Sequence, residues 1–312
     1  MLLALLALLA VGCGRDDDSA TGTTTAEAGG DLAGRIQADG SSTVGPYTTA
    51  AAEDFQAAQP DVQITVGVSG TGGGFERFCR GETDLSNASR PIKEEEAAIC
   101  ADKGIEYVEF QVANDALTVV VNKDNDWVTC LTTAQLKTIW GPGSKVENWN
   151  QIDPSFPDQG LSLFGPGTDS GTFDYFTGEI NGEEGASRSD YSASEDDNTI
   201  VTGVSGEKGG LGYFGFSYFE ENQDALKAVE IDGGDGCVAP SVETAQNGTY
   251  KPLSRPLYVY VKKDALARPE VAAFIGFMLE NEKQIAEASQ FVPLTAEQLE
   301  KANSELERAV GS

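Results

Sequence analysis

Three short Ser/Thr/Gly turns constrain this chain most: Gly40-Ser41-Ser42-Thr43-Val44-Gly45, Ser69-Gly70-Thr71-Gly72-Gly73-Gly74 and Gly167-Thr168-Asp169-Ser170-Gly171-Thr172. Each directly precedes a stretch with helical apolar spacing, and each follows a run with strand character. A helix start leaves backbone N–H groups unpaired and carries a partial positive charge, so it attracts anions. Hydroxyls add donors, and glycine lets an oxyanion approach the backbone closely. Taken singly, each turn is equally a plain connection. Taken together they predict strand-to-helix junctions gathered at one sheet edge, where α/β proteins bind ligands.

The rest of the periodicity supports an α/β architecture. Val62, Ile64, Val66 and Val68 alternate as a strand does. Tyr47, Ala51 and Phe55 share a helical face, and Phe75 and Phe78 fit a short helix. Ala116–Asn122 and Leu257–Val261 are β-rich runs, and Leu211–Phe214 is a further strand. Thr133 is placed to cap a helix carrying Leu136, Ile139 and Trp140. Phe173, Phe176 and Ile180 follow helical spacing, and Thr199–Val204 is a short helix candidate. Pro269–Ala288 is predicted as the longest amphipathic helix, with Thr295 capping a final one. Asn181–Asp197 is polar and acidic and reads as a surface loop.

Composition removes several function classes. The chain has 312 residues, suited to two lobes of ordinary size, and its formal net charge is -29. A nucleic-acid partner needs a basic stripe, and none is visible. Histidine is absent, which removes the usual general base and every Ser-His or Cys-His nucleophile. Neither a metal-carboxylate cluster nor a complete phosphate loop of the NTPase type occurs, so no enzyme, metal or cofactor is expected.

Residues 1–12 read as a signal segment, because Met1–Val11 is almost wholly Leu and Ala yet too short to span a bilayer. Ala10-Val11-Gly12-Cys13 is similar to a bacterial lipobox, with Cys13 as the lipidated residue. Residues 13–33 then form a flexible tether. Cys79, Cys100, Cys130 and Cys237 remain. An even count in an exported chain favours disulfides over buried thiols. Cys79 and Cys100 flank one helix-loop segment and are local candidates, which leaves Cys130 with Cys237.

Several motifs together resemble one family. Gly40-Ser41-Ser42-Thr43-Val44, Asn87-Ala88-Ser89-Arg90-Pro91-Ile92 and Gly165–Phe176 are similar to the phosphate-binding lipoproteins of bacterial phosphate ABC transporters, the PstS family. Leu136–Trp140, Asn148-Trp149, Gly210–Phe214 and Leu253-Ser254-Arg255-Pro256 add to the match, which runs in order from about residue 34 onward. The resemblance implies a two-lobed periplasmic-binding-protein fold of type II, its lobes joined by two crossover strands. Lobe one would be 34–112 plus 257–312, and lobe two 115–254. It implies a monomeric receptor for inorganic phosphate, outside the cytoplasm and held at the cell membrane only by its lipid anchor. ABC transporter permease subunits would be its partners. A receptor of the same fold for another oxyanion, or a sensor or adhesin without a transport role, is the alternative.

By the same resemblance, Ser42, Thr43 and Val44 would bind the anion from the first turn and Thr71 from the second. Ser170, Gly171 and Thr172 would add hydroxyl and backbone donors from lobe two. One family branch has an arginine shortly before the Ser-Gly-Thr triplet, where this chain has Pro166 and its neighbours, and an aspartate near Ser89, where this chain reads Ser89-Arg90. Arg90 is therefore expected to supply the guanidinium. Asp169 is the candidate acceptor for a protonated oxyanion, with Asp39 and Asp84 next.

Overall fold

The computed structural model describes residues 32–168, 170–194 and 196–311. The expected signal segment, Cys13, all but the last two residues of the expected tether, and Asp169 lie outside the described residues. Twelve strands appear: β1 (Gly34–Gly40), β2 (Val62–Val66), β3 (Leu85–Ala88), β4 (Tyr107–Asn122), β5 (Cys130–Thr132), β6 (Ser162–Pro166), β7 (Ser192–Ser194), β8 (Gly210–Gly215), β9 (Leu226–Ala228), β10 (Glu230–Asp232), β11 (Cys237–Val238) and β12 (Ser254–Lys262). The first five helices are α1 (Gly45–Ala58), α2 (Gly70–Cys79), α3 (Glu94–Asp102), α4 (Thr133–Trp140) and α5 (Gly171–Phe176).

The main sheet runs β2-β1-β3-β12-β4-β8-β6-β7, with β9 also on β4. β1 pairs in parallel with β2 and β3, and β6 in parallel with β7 and β8. Between these parallel groups lie β12 and β4, antiparallel to each other from Ser254↔Ala116 to Lys262↔Tyr107. β4 is 16 residues long, much longer than the predicted run at Ala116–Asn122. Its first half packs in one core and its second half in another.

The fold is therefore two-lobed and α/β, with β4 and β12 as the strands that join the lobes. One core gathers Ile36, Tyr47, Phe55, Phe110, Val259, Phe274 and Met278. The other gathers Leu117, Val121, Trp140, Trp149, Phe176 and Tyr213. In the second, Phe176 stacks on Tyr213 with ring centroids 3.8 Å apart, and Trp140 meets the same tyrosine edge-on at 4.9 Å. The predicted helical triad Phe173, Phe176 and Ile180 is buried, although the chain widens into a π-type turn at Thr177–Asn181.

Four local expectations change. β2 ends at Val66, and Val68 is 61% exposed; the Gly67 and Ser69 N–H groups instead bond to the Ala38 and Gly40 carbonyls. The cap of α4 is Thr132, whose Oγ1 accepts the Gln135 N–H at 3.1 Å, while Thr133 is the first helical residue. The predicted helix Pro269–Ala288 is broken into Pro269–Glu280 and Glu282–Ala288 at Asn281, where φ is -107° and ψ 15°. The Asn281 side-chain amide bonds back to the Phe277 carbonyl, satisfying the helix end. The longest helix is Ala296–Val310, capped by Thr295. Last, Asn181–Asp197 is more than a surface loop. It contributes β7, and it buries Arg188 against the Ile139 and Val146 carbonyls and Asp190.

Cys79–Cys100 and Cys130–Cys237 are disulfides. The first ties the end of α2 to α3. The second joins the outer strands β5 and β11 of a small sheet built on β10. The linked residues are 21 apart in the first and 107 apart in the second. A cross-link stabilises mainly by restricting the unfolded chain, about 3 kcal/mol for a loop of roughly twenty residues and about 5 kcal/mol for one of roughly a hundred. Replacing both Cys130 and Cys237 by alanine is expected to lower stability more than replacing Cys79 and Cys100. Urea unfolding of the two double variants measures the order directly.

Candidate functional site

Each of the three Ser/Thr/Gly turns follows the C-terminal end of a parallel strand: β1, β2 and β6. The first requires Gly40, whose φ of +138° lies where side chains are strained; a Cβ there would also stand 2.2 Å from the Asn87 carbonyl oxygen. The turn that follows leads into α1. Its Val44 N–H donates to Ser41 Oγ at 3.3 Å. In the second turn α2 begins inside the motif, at Gly70, so Thr71 belongs to the first helical turn. In the third, Ser170 caps α5, and its Oγ accepts the Thr172 N–H at 3.2 Å.

The structure brings the first and third turns together. Ser42, Thr43, Gly171, Thr172 and Asp115 line one cavity of about 160 Å³ at the junction of the lobes. The approach is close enough to exclude a side chain: a Cβ on Gly171 would lie 2.8 Å from Thr43 Oγ1 and 3.2 Å from Thr43 Cα. Thr71 and Ser89 form a second group. Their hydroxyls are 3.1 Å apart, and the Ser89 N–H donates to Thr71 Oγ1 at 3.3 Å.

Arg90 follows Ser89 of that second group and pairs with a carboxylate. Nη1 and Nη2 each bond a Glu96 oxygen at 2.8 Å. Those bonds raise the Arg90 pKa further. Burial works to raise the Glu96 carboxyl, yet the bonds from Arg90 and the Lys93 N–H outweigh it and hold Glu96 below its ordinary value. Glu184, from the second lobe, adds to the field on Arg90. Asp174 is raised by burial and by Glu184, against the pull of Arg255.

A second arginine binds two of the residues that line the cavity, Thr43 and Asp115. Arg255 Nη2 donates to Thr43 Oγ1 at 3.0 Å, and Nε to Asp115 Oδ2 at 3.2 Å. Its guanidinium carbon lies 3.5 Å from the centroid of the Tyr175 ring, a stacked cation–π arrangement. Asp115 is buried, which pushes its carboxyl up, while Arg255 opposes that shift. Of the other carboxylates considered, Asp39 is bound by Arg77, Ser69 and the Gly40 N–H. Asp84 pairs with Arg268 and the Gln37 N–H.

A two-lobed sheet crossed by two strands, with hydroxyl-bearing turns converging at the junction, invites comparison with known proteins. The family model of the PBP superfamily domain matches residues 19–282. The phosphate-binding protein PstS of Staphylococcus saprophyticus is 40% identical over 310 residues, 99% of this chain and 92% of its own length. The chain belongs to the PstS family of the PBP superfamily. Protein SphX of Synechococcus elongatus, 52% identical over 264 residues, covers 84% of the chain and 78% of its own length. The crystal structure of a possible phosphate binding protein from Planctomyces limnophilus superposes with a TM-score of 0.87 at 49% identity, over 89% of this chain and 99% of that one. A putative phosphate ABC transporter substrate-binding protein from Clostridium perfringens, solved with bound phosphate, gives 0.57 at 28% identity, over 84% of this chain and 100% of that one.

Within this PstS-family fold, sequence reasoning missed Arg255 and Asp115. Arg255 entered the sequence reading only within the family-like segment Leu253-Ser254-Arg255-Pro256, with no role of its own. The available signal was a pair of opposite charges at matching ends of two β-rich runs, Asp115 before Ala116–Asn122 and Arg255 before Leu257–Val261. Cross-strand pairing makes them neighbours.

The Thr43–Gly171 approach yields a test of how the lobes meet. Gly171→Ala is expected to drive the start of α5 away from the first turn, because the obstructing atoms include Thr43 backbone that moves only at cost. Small-angle scattering should show a larger radius of gyration than wild type. Gly160→Ala, with nothing within 4 Å of the added carbon, should leave it unchanged.

Proposed function

We propose that this protein captures inorganic phosphate between its two lobes and delivers it to the permease of an ABC transporter. It acts as a receptor and performs no chemistry on its ligand. The observation that carries this reading is the single cavity shared by the first and third turns, where Ser42 and Thr43 of one lobe meet Gly171 and Thr172 of the other. Hydroxyl and backbone N–H donors from two separate bodies suit a small anion that must be enclosed and released. β4 and β12 give a hinge between the two main cores, which allows the lobes to close largely as rigid bodies.

The proposed ligand set is Ser42, Thr43, Val44, Thr71, Ser89, Arg90, Asp169, Ser170, Gly171 and Thr172. Ser170 Oγ and the Thr172 N–H now bond each other, and a bound oxyanion would compete for that donor. Residues 34–112 with 257–312 make up the first lobe in this reading, and 115–254 the second. Residues 1–12 direct export, Cys13 carries the lipid, and 13–33 form the tether that leaves a monomeric receptor free to reach the permease. The strongly negative surface does not oppose this role, because salt screens exposed charge beyond about 8 Å.

Calorimetry of the full chain with phosphate and with sulfate tests the reading. Phosphate binding with weak or absent sulfate binding is expected, and sulfate binding at equal or higher affinity would move the assignment to another oxyanion. Two substitutions sharpen it. Arg90 bonds Glu96 through Nη1 and Nη2 and keeps its Nε–H and a second Nη2–H for an incoming anion. Arg90→Ala should therefore weaken phosphate by about 10-fold or more, the range for loss of a charged hydrogen bond. Asp169 adjoins Ser170 and is the proposed acceptor for the proton that phosphate retains at neutral pH. Asp169→Asn should narrow the ratio of phosphate to sulfate affinity, mainly by weakening phosphate. An unchanged ratio removes Asp169 from that role.

A further inference from the structure

Arg255 faces Asp115 directly across the two strands that join the lobes, and the two residues are register partners of β12 and β4. Its guanidinium is held on three sides. Nε bonds Asp115 Oδ2 at 3.2 Å, Nη2 bonds Thr43 Oγ1 at 3.0 Å, and the plane rests 3.5 Å over the Tyr175 ring. Tyr175 is itself anchored, its hydroxyl donating to the Pro252 carbonyl at 2.7 Å. The hinge, the first lobe and the second lobe therefore each hold one part of one side chain.

The contact with Thr43 has a direction. A guanidinium carries only donors, whereas a threonine hydroxyl has one proton and two lone pairs. Thr43 Oγ1 must accept from Arg255, so its single proton points elsewhere. Among the described residues, no hydrogen bond leaves the Thr43 hydroxyl; its bond from Arg255 is the one that reaches it. Thr43 also lines the cavity with Gly171 and Thr172.

We propose that Arg255 is a positioning residue that acts through Thr43: held by Asp115 and Tyr175, it fixes the Thr43 hydroxyl as a hydrogen-bond donor into the cleft. This rests on the cleft being the phosphate site, and it adds how that site selects its ligand. The group that meets the Thr43 proton is an acceptor, such as an oxyanion oxygen. A solute that places an N–H or O–H donor there finds only the second lone pair of a hydroxyl already bonded to a cation. The adjacent positive charge also polarises the O–H and strengthens it as a donor.

A double-mutant cycle in the full chain, read by calorimetric titration with inorganic phosphate, tests the proposal. Thr43→Val and Arg255→Gln should each weaken phosphate by about 10-fold or more, the range for losing a hydrogen bond that involves charge. If Arg255 works through Thr43, the double variant should be no more than about 3-fold weaker than the worse single variant. Arg255→Lys keeps a charged group that can only donate, whereas a glutamine amide is neutral and can also accept from Thr43, so Lys should recover part of the Arg255→Gln loss when Thr43 is present and none of it alongside Thr43→Val. A merely structural arginine would show the same recovery in both backgrounds. If Arg255→Gln does not fold, Arg255→Lys against wild type in the two backgrounds completes the same cycle. Phosphate binding by wild type with multiplicative losses in the double variant overturns this proposal and leaves the functional reading standing. Failure of wild type to bind phosphate overturns both.

Discussion

The antiparallel pairing of β4 with β12 is the constraint on which the rest of this structure depends. Nine successive residue pairs, from Ser254↔Ala116 to Lys262↔Tyr107, hold these strands in register. On one side β3 continues the sheet and on the other β8 does, so both lobes are built outward from the same ribbon. Each lobe has its own main core, and a smaller cluster of Ala116, Phe216, Ala245 and Val292 joins them beside the ribbon. A register shift between Leu257 and Tyr258 interrupts the ladder where Leu257 passes Ala113. Irregularities of this kind bend a strand and increase its local twist. The Arg255–Asp115 pair lies two residues from that point.

Placing an ion pair at the hinge has a cost. Burial raises the Asp115 carboxyl, so the ionised form exists there against a desolvation penalty that Arg255 offsets. Such pairs are poor general stabilisers, and replacing one with apolar side chains is often neutral or better. Its value here lies in geometry. The cation reaches Thr43 and Tyr175 from a fixed point that belongs to both lobes. Arg90 shows the contrasting case: its charge is matched by Glu96 within the first lobe, and its bidentate bonds shape the wall around Thr71 and Ser89.

Much of the fold could be read from periodicity. α1 buries Tyr47, Ala51 and Phe55 as their spacing required, and α2 buries Phe75 and Phe78. Strand-to-helix turns gathered at one edge because parallel strands present their C-terminal ends together. Errors came where one residue could serve either of two local states. Asn281 inside an apolar helical pattern gave no warning of a break, since its cap bond to Phe277 exists only once the chain has bent. Arg188 in an acidic, polar stretch read as solvated charge. Its burial depends on two carbonyls contributed from residues 139 and 146.

The sequence by itself determined which segments become strands, helices and donor-bearing turns, because those depend on side-chain spacing, glycine and hydroxyl content within a dozen residues. It also determined the hydroxyl content of the turns and the absence of histidine. Only the tertiary structure decided which partners each arginine meets. Thr43, Asp115, Tyr175 and Arg255 span more than two hundred positions, and their meeting depends on cross-strand register and on how two lobes approach. No local pattern encodes either of these. Arg90 and Arg255 are both arginines beside family-like motifs; the packing of α3 gives the first a carboxylate partner, and the hinge ribbon gives the second a threonine.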